Sequence, residues 1–263
     1  MEKIILVTGS TGFIGTNLCL DLLKDGHTVI GISKECSKNI ISHRYKVIKH
    51  DVRNPFDTFK CGEIYHLASY ASCSYFEKDP VSIADTILLG TINALNFAKA
   101  VGAKFLYAST YGVYSDSNNL KFRSCYDSSK LAMESYVYNF GKQNNISTKI
   151  LRIPSVYGPY MRLNENKLIT NFIKSALTNK KLELWGNTSK ERPFCFVGDL
   201  IKFLKYVMEK DFSNPKDLTQ NYIRFWSAKK LSEIIPEMIK TEDYKYGFKE
   251  TINYFKQEIL KQK

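Results

Sequence analysis

Arginine is scarce in this 263-residue chain, although its formal net charge is +12. Of the 38 basic residues seven are arginine and 31 are lysine, and the lysines are scattered along the sequence. Nucleic-acid surfaces depend more on arginine side chains and on clustered basic runs. We therefore expect no nucleic-acid partner. Two interpretations of the charge remain: a general lysine bias, or an electrostatic preference for an anionic substrate.

Cysteine pairs and long apolar runs near the N-terminus are also missing. The six cysteines form no Cys-x-x-Cys pair and no Cys/His pattern with the spacing of metal ligands, which argues against a metal site and a disulfide framework. The apolar run at residues 4–7 is too short for a signal peptide or a membrane span. We expect a cytoplasmic protein with no metal and no membrane partner.

The apolar segments that are present alternate between two lengths. A hydrophobic content of 44% is enough for a sizeable core. Short strand-like runs alternate with longer helical patterns, which is typical of a parallel sheet with helices on its faces. The sequence thus predicts an α/β fold with a Rossmann-type, doubly wound parallel sheet. The predicted strands are residues 4–7, 27–32, 45–49, 63–67, 105–108 and 148–153, and the longest predicted helices are 81–100 and 126–140.

This alternation stops after Tyr157, which suggests two domains. We predict a dinucleotide-binding domain at 1–157. Residues 158–263 are expected to form mainly a small substrate-binding cap, partly interleaved with the core. The elements predicted there are helices at 166–178, 199–209, 229–240 and 247–261, a short strand at 182–184 and a loop at 186–192.

A glycine-rich loop joins the first predicted strand to the first helix. Gly9, Gly12 and Gly15 form a variant of the dinucleotide fingerprint. Glycines let the backbone turn tightly and approach a pyrophosphate, which the helix N-terminus then stabilises. The loop predicts nucleotide binding, and the residues expected to contact the cofactor are Gly9, Thr11, Gly12, Phe13, Ile14 and Gly15.

The end of the second predicted strand bears on the type of cofactor. An NAD-binding chain usually carries Asp or Glu at this point, where it accepts hydrogen bonds from the ribose hydroxyls. Here the strand ends at Ser33 and Lys34, and a hydroxyl with a cation suits a 2′-phosphate. We therefore expect NADP(H) rather than NAD(H). Glu35, one residue later, keeps the NAD(H) alternative open.

Further cofactor contacts are expected where the other strands end, because ligands bind at the carboxyl ends of strands in such sheets. Asp51 and Val52 are predicted to lie against the adenine. His66, inside a buried strand, is interpreted as a structural histidine rather than a catalyst. The other candidates for the cofactor site are Leu67, Ala68, Ser69 and Pro154.

Tyr126 and Lys130 are the candidate catalytic pair. At a spacing of four residues they share one face of a predicted helix. A tyrosine has a pKa of roughly 10, and a neighbouring cation lowers that value. The strand that ends at Thr110 and the glycine loop single this pair out. The same spacing occurs in settings that we interpret as ordinary at Tyr45/Lys49, Tyr138/Lys142 and Tyr206/Lys210.

Taken in order, these motifs resemble those of the extended short-chain dehydrogenases/reductases, which modify nucleotide sugars. The strings that match the family are residues 9–15, His66-Leu67-Ala68, Ser109-Thr110, Tyr126 with Lys130, Leu151-Arg152, Tyr157-Gly158-Pro159 and Arg192 with Asp199. Within that family the chain looks most similar to UDP-glucuronate decarboxylases, and the strings that support this are residues 49–52, 64–68, 123–127 and 158–161.

The resemblance implies a role for each candidate residue. Tyr126 would exchange a proton with the sugar hydroxyl or ketone, and Lys130 would hold the nicotinamide ribose and lower the tyrosine pKa. Thr110 would hydrogen-bond the reacting oxygen. A nucleotide-sugar substrate is thereby expected as partner. The residues predicted to bind this substrate are Tyr111, Ser155, Tyr157 and Arg192, with Arg192 at the diphosphate or ribose. The resemblance also implies a homodimer formed through the two long helices.

The chain departs from the family pattern at several positions. The decarboxylases carry a glutamate two residues after the catalytic threonine, and here that position is Gly112. Ser155 stands where an asparagine is usual, and Ser33 with Lys34 replaces an acidic strand end. These departures favour reduction of a 4-keto-(6-deoxy) nucleotide sugar. The alternatives are UDP-glucuronate decarboxylation or nucleotide-sugar 4-epimerisation, and, from another class, a non-catalytic cofactor-sensing protein.

Overall fold

The computed structural model describes residues 2–36, 39–70, 76, 78–114, 124–163, 167–181, 184, 186–210, 216–217 and 223–261. The chain divides into two compact units. One contains Met1–Ile153 and Ile201–Asp217, and the other contains Pro154–Leu200 and Leu218–Lys263. The first break thus comes after Ile153, whereas the sequence predicted a boundary after Tyr157.

The helices and strands follow each other along the chain. The strands are β1 (Ile4–Thr8), β2 (Thr28–Ser33), β3 (Tyr45–Lys49), β4 (Glu63–His66), β5 (Lys104–Thr110), β6 (Thr148–Ile153), β7 (Ser155–Tyr157), β8 (Arg192–Phe196), β9 (Lys216–Asp217) and β10 (Arg224–Trp226). The helices are α1 (Phe13–Lys24), α2 (Pro80–Val101), α3 (Ser124–Asn144), α4 (Leu168–Leu177), α5 (Val197–Glu209), α6 (Ala228–Thr241) and α7 (Phe248–Leu260).

A seven-stranded parallel sheet organises the first unit. Its strand order is β3-β2-β1-β4-β5-β6-β9, so successive strands run outward in one direction from β1 and in the other from β4. Both faces of the central strands are covered, and Leu6, Phe105 and Leu106 have no exposed surface. An all-parallel sheet requires such cover, which explains why the central strand β1, IILVT, is almost wholly apolar. The prediction of a Rossmann-type fold is confirmed.

Helix α2 is long and apolar enough to cross a membrane by length and composition alone. Its inner face lies in the core of the first unit, where Ile83 and Ile87 are fully buried, and half of its apolar window is buried. The ends of the helix are set locally. Asp79 caps the first turn by accepting a hydrogen bond from the Ser82 amide at 3.0 Å, and Gly102 ends the helix in the left-handed conformation. These are features of a core helix in an α/β protein.

The second unit contains a three-stranded sheet with the order β10-β8-β7. Strand β7 pairs with β8 in parallel, and β10 pairs with β8 antiparallel. Its core is aromatic, with Tyr157, Trp226 and Phe248 in mutual ring contact. Strands β7 and β8 are not among those predicted from the sequence, because such short strands show too little periodicity. Most of the predicted strand at 182–184 lies outside the described residues.

Candidate active site

The glycine loop between β1 and α1 forms a compact cradle. Gly9 has a φ of +70°, and a Cβ at Gly15 would lie 2.1 Å from the Gly9 carbonyl oxygen. Neither position can therefore carry a side chain without moving the backbone. Gly12 is the N-cap of α1 and offers no side chain to the amides of the first turn. Exposed amides at a helix N-terminus bind anions such as a pyrophosphate, so the loop fits a dinucleotide.

Ser33 and Lys34, at the end of β2, are both engaged with neighbouring side chains. The Ser33 hydroxyl lies 2.6 Å from that of Thr11, and the Lys34 ammonium pairs with the Asp51 carboxylate at 3.1 Å. Arg53 also pairs with Asp51 at 2.6 Å. Partial burial alone would raise the pKa of Asp51, but the hydrogen bonds from Arg53 and Lys34 hold it well below its usual range. Asp51 thus stays charged and partly neutralises both cations.

His66, at the end of β4, has its ring between two hydroxyls. Its Nδ1 lies 2.8 Å from the Thr8 hydroxyl, and its Nε2 lies 3.2 Å from the Thr91 hydroxyl. Burial lowers the His66 pKa to about 3, with a smaller contribution from Lys130. A neutral, fully enclosed ring that links β4 to β1 and α2 has a structural role, as the sequence indicated.

Two other predicted contact regions follow β4 and β3. The amide of Ala68 donates to the Thr8 hydroxyl at 3.2 Å, which fixes the chain just after β4. Val52 is buried against α2, where a Cβ at Gly90 would lie 2.8 Å from the valine methyl group. Ala68 is therefore fixed against the end of β1 and Val52 against α2.

Tyr126 and Lys130 lie in the first two turns of α3, beside the end of β5. Lys130 is 2% exposed, and its ammonium donates to the Ala108 carbonyl oxygen at 2.7 Å. The same nitrogen lies 4.8 Å from the Tyr107 ring centre and 5.9 Å from that of Tyr126. Burial lowers the pKa of Lys130 to about 7. The predicted pair is thus assembled, with a lysine that can lose its proton near neutral pH.

Thr110 ends β5 and leads directly into a 3-10 turn, Tyr111–Tyr114. It is 5% exposed, and its hydroxyl accepts a hydrogen bond from the Gly112 amide at 3.0 Å. The rings of Tyr111 and Tyr114 meet edge to face at 5.1 Å. Thr110 and Tyr111 therefore lie in the first unit, on the segment that faces the start of α3.

An ion pair not foreseen from the sequence ties α3 to the sheet. Glu134, at 5% exposure, accepts hydrogen bonds from Arg152 of β6 at 2.6 and 2.9 Å and from the Ser109 hydroxyl of β5. The guanidinium also stacks on the Tyr114 ring at 4.8 Å. Glu134 is four residues beyond Lys130, on the same helix face. That spacing is a signal that could have revealed it.

The remaining predicted residues belong to the second unit. Pro154 is buried, whereas Ser155 and Arg192 are exposed at the starts of β7 and β8. Tyr157 is 1% exposed, its ring stacks on Phe248, and its hydroxyl donates to a backbone carbonyl. Its predicted role as a substrate contact is corrected to a structural one, because the side chain is enclosed in the core of this unit.

The fold, the glycine loop and the Tyr126–Lys130 pair define an extended short-chain dehydrogenase/reductase. The NAD dependent epimerase/dehydratase family matches residues 5–219, and the chain belongs to it. UDP-glucuronic acid decarboxylase 6 of Arabidopsis thaliana is 34% identical across 90% of this chain and 75% of that protein. UDP-glucuronic acid decarboxylase 1 of Xenopus tropicalis is 34% identical across 82% of this chain and 56% of that protein. The chain thus spans only part of the length of these relatives.

Solved structures share the fold at lower sequence identity. UDP-glucose 4-epimerase of Thermotoga maritima with UDP-glucose has a TM-score of 0.83 and 20% identity, covering 97% of this chain and 99% of that one. A mutant UDP-glucuronic acid 4-epimerase of Bacillus cereus, with a fluorinated UDP-glucuronic acid and NAD, has a TM-score of 0.77 and 24% identity, covering 90% of this chain and 83% of that one. These likenesses support the fold, and membership of the family makes the expected cofactor a nicotinamide dinucleotide.

Proposed function

We propose that this protein decarboxylates UDP-glucuronate in an NAD-dependent reaction. The observation that carries the proposal is the Thr110, Tyr126 and Lys130 cluster, found in a chain 34% identical to a UDP-glucuronic acid decarboxylase. The relatives therefore favour UDP-glucuronate decarboxylation, which was an alternative on the sequence alone, over the reduction of a 4-keto sugar, which was the first expectation. The lysine-rich charge of the chain suits a dianionic diphosphate that also carries a carboxylate.

Each residue of the cluster has a distinct task in this proposal. A bound nicotinamide would accept a hydride from C4 of the sugar and later return it. Tyr126 takes the proton from the C4 hydroxyl in the first direction and gives it back in the second. Lys130 favours the phenolate form of Tyr126 when the ammonium is charged. Thr110 holds the reacting C4 oxygen with its hydroxyl.

For the cofactor we propose NAD rather than NADP, contrary to the first expectation. That expectation depended on Ser33 and Lys34 as a binding site for a 2′-phosphate. In the structure the Ser33 hydroxyl is bonded to Thr11, and Lys34 is paired with Asp51. A 2′-phosphate would have to displace these contacts and approach the Asp51 carboxylate. The glycine cradle itself suits either dinucleotide.

The test compares two substrates on one preparation of the full chain. UDP-glucuronate with catalytic NAD⁺ is expected to release carbon dioxide and yield a UDP-pentose, with no net change at the reduced-nicotinamide absorbance band. A 4-keto-6-deoxy nucleotide sugar with NADPH is the comparison substrate. Tyr126→Phe serves as the inactive control. A wild-type protein that releases no carbon dioxide from UDP-glucuronate contradicts the proposal.

Reduction of a 4-keto nucleotide sugar remains the second candidate, and Gly112 is the observation that favours it. A net reductase needs Thr110, Tyr126 and Lys130 but no further acid–base group. Stoichiometric loss of NADPH with the 4-keto sugar, without carbon dioxide from UDP-glucuronate, identifies this activity. Conversion of a UDP-sugar to its C4 epimer in the same mixtures identifies a 4-epimerase instead. Cofactor binding with no reaction on any of these substrates identifies a cofactor-sensing protein.

A further inference from the structure

The carboxyl group of Asp127 lies directly against Gly112. A Cβ at Gly112 would lie 2.0 Å from Oδ1 and 2.5 Å from Cγ of Asp127, so a side chain there would require the Asp127 carboxyl group to move. Gly112 does not have a positive φ, so its backbone conformation does not itself require glycine. The carboxylate of Asp127 therefore fills the space in which a side chain at position 112 would begin.

Asp127 is well placed with respect to the reacting groups. It directly follows Tyr126 and belongs to the first turn of α3. The residue it meets, Gly112, donates its amide to the Thr110 hydroxyl at 3.0 Å. Asp127 is half-buried, between an exposed and an enclosed position. Its carboxyl group thus lies against Gly112, two residues after the proposed holder of the C4 oxygen, and one residue along the chain from the proposed proton carrier.

The other carboxylate of α3 near the sheet has a different use. Glu134 is buried and is bonded to both Arg152 and the Ser109 hydroxyl. Releasing it to exchange protons with a substrate would leave the guanidinium of Arg152 without its carboxylate partner. Of these two acidic side chains on α3, Asp127 is the one beside the Thr110–Gly112 segment.

We propose that Asp127 supplies the carboxyl group that decarboxylation requires and that position 112 does not provide. The inference rests on the proposed function. Once C4 is a ketone, the carboxylate carbon C6 is attached to the carbon next to it, C5. The C5–C6 bond breaks, carbon dioxide leaves, and the electron pair passes into an enolate over C5, C4 and the C4 oxygen. Asp127 relays a proton from solvent to C5, so one proton is consumed for each carbon dioxide.

The first experiment replaces the carboxyl group without changing its shape. In Asp127→Asn, steady-state release of carbon dioxide from UDP-glucuronate is expected to fall at least 100-fold, the usual scale for an acid–base group. Formation of reduced nicotinamide in a single turnover is expected to stay within threefold of wild type, because C4 oxidation does not use Asp127. Asp57→Asn, a change at an exposed aspartate, is the matched control and should leave both rates unchanged.

The second experiment returns a carboxyl group to position 112. Asp127→Ser removes the atoms that obstruct it, and Gly112→Glu is then added in the same chain. Carbon dioxide release by the double variant is expected to exceed that of Asp127→Ser at least tenfold. Each variant is checked for wild-type circular dichroism and cofactor affinity, so that a failure to fold is recognised independently of activity.

Three results would overturn the inference. If wild type is active and Asp127→Asn releases carbon dioxide within threefold of it, Asp127 is not the proton donor while the proposed function stands. If oxidation and carbon dioxide release fall equally in Asp127→Asn, the residue has a structural role only. If wild type itself releases no carbon dioxide, the proposed function fails and the inference fails with it.

Discussion

At the scale of single residues, Tyr126 is the proposed proton carrier of the site. Tyr126→Phe keeps the ring in its buried position but removes the hydroxyl, so turnover should fall by about 100-fold to 10,000-fold. Cofactor affinity, measured by calorimetry, should be retained. Tyr138→Phe is the control, because Tyr138 is an exposed tyrosine four residues before a lysine on the same helix. Near-normal turnover in Tyr126→Phe would move the acid–base role to another group.

Lys130 makes a pH-dependent contribution to stability whose sign follows from its environment. Burial lowers its pKa from 10.5 to about 7, so between these pH values the unfolded chain binds a proton that the folded chain does not. Stability from this group therefore rises as the pH increases above about 7, and is lost as the pH falls toward 7. The slope approaches about 1.4 kcal/mol per pH unit.

The measurement uses urea unfolding of cofactor-stripped protein at pH 7, 8 and 9. From pH 7 to pH 9, the free energy of unfolding of wild type should increase relative to that of Lys130→Met. Lys142→Met, which changes an exposed lysine of the same helix, is the control. A difference between wild type and Lys130→Met that is constant with pH would show that Lys130 stays charged throughout.

Asp51 is expected to control the choice of cofactor. In wild type Asp51 forms ion pairs with Lys34 and Arg53, so these cations are not available to a 2′-phosphate. NADH should therefore bind more tightly than NADPH. Asp51→Asn keeps the shape of the side chain and releases both cations. The affinity for NADPH should then rise roughly tenfold, the effect of about 1.4 kcal/mol from one charge-assisted contact. Calorimetry measures the affinities of wild type and Asp51→Asn for both cofactors. A wild-type preference for NADPH would restore the interpretation based on Ser33 and Lys34.

At the scale of elements, α3 is held to β5 and β6 by Glu134. Glu134→Ala leaves the Arg152 guanidinium without its carboxylate, and loss of one member of a buried ion pair is costly. We expect at least about 2 kcal/mol lower stability in urea unfolding. Glu233→Ala, at an exposed position of α6, should change stability by less than about 0.5 kcal/mol. Equal stabilities of the two variants would contradict the anchoring role.

The central elements could be predicted from the sequence because their patterns are local. The apolar strands, the glycine loop and the Tyr126–Lys130 spacing each appear within a few neighbouring residues. Two kinds of feature could not be found in this way. The short strands β7 and β8 depend on pairing across the second sheet, and the contact between Gly112 and Asp127 depends on how the 3-10 turn meets α3. Likewise, the sequence shows Ser33 and Lys34 but not that Thr11 and Asp51 engage them.

At the scale of the whole molecule, the outward faces of α2 and α3 support the proposed homodimer. Among the apolar residues of these two helices, Ile83, Ile87 and Val137 are buried. The two helices pack side by side. Their exposed large apolar residues are different ones: Val81, Leu89, Ile92, Leu131, Tyr136 and Tyr138. Apolar groups concentrated on two neighbouring helices suit a second copy of the chain.

Light scattering at micromolar concentration is expected to give the mass of a dimer. Leu89→Glu places a charge in the centre of the proposed interface and should shift the mass toward that of a monomer. Leu260→Glu is the control, since Leu260 is 69% exposed at the end of α7. A monomeric wild type, or dimers that both variants retain, would contradict an interface on α2 and α3.

The order of the chain through the two units has a consequence for biosynthesis. The last strand of the first sheet, β9, pairs with β6, although much of the second unit is encoded between them. Ribosomes add roughly 5–20 residues per second, so several seconds pass between the synthesis of β6 and that of β9, the strand that pairs with its outer edge. During that interval the growing chain presents an unpaired strand edge, which is where unfolded polypeptides associate wrongly. Folding during translation is therefore expected to be the stage at which this protein most needs protection by chaperones.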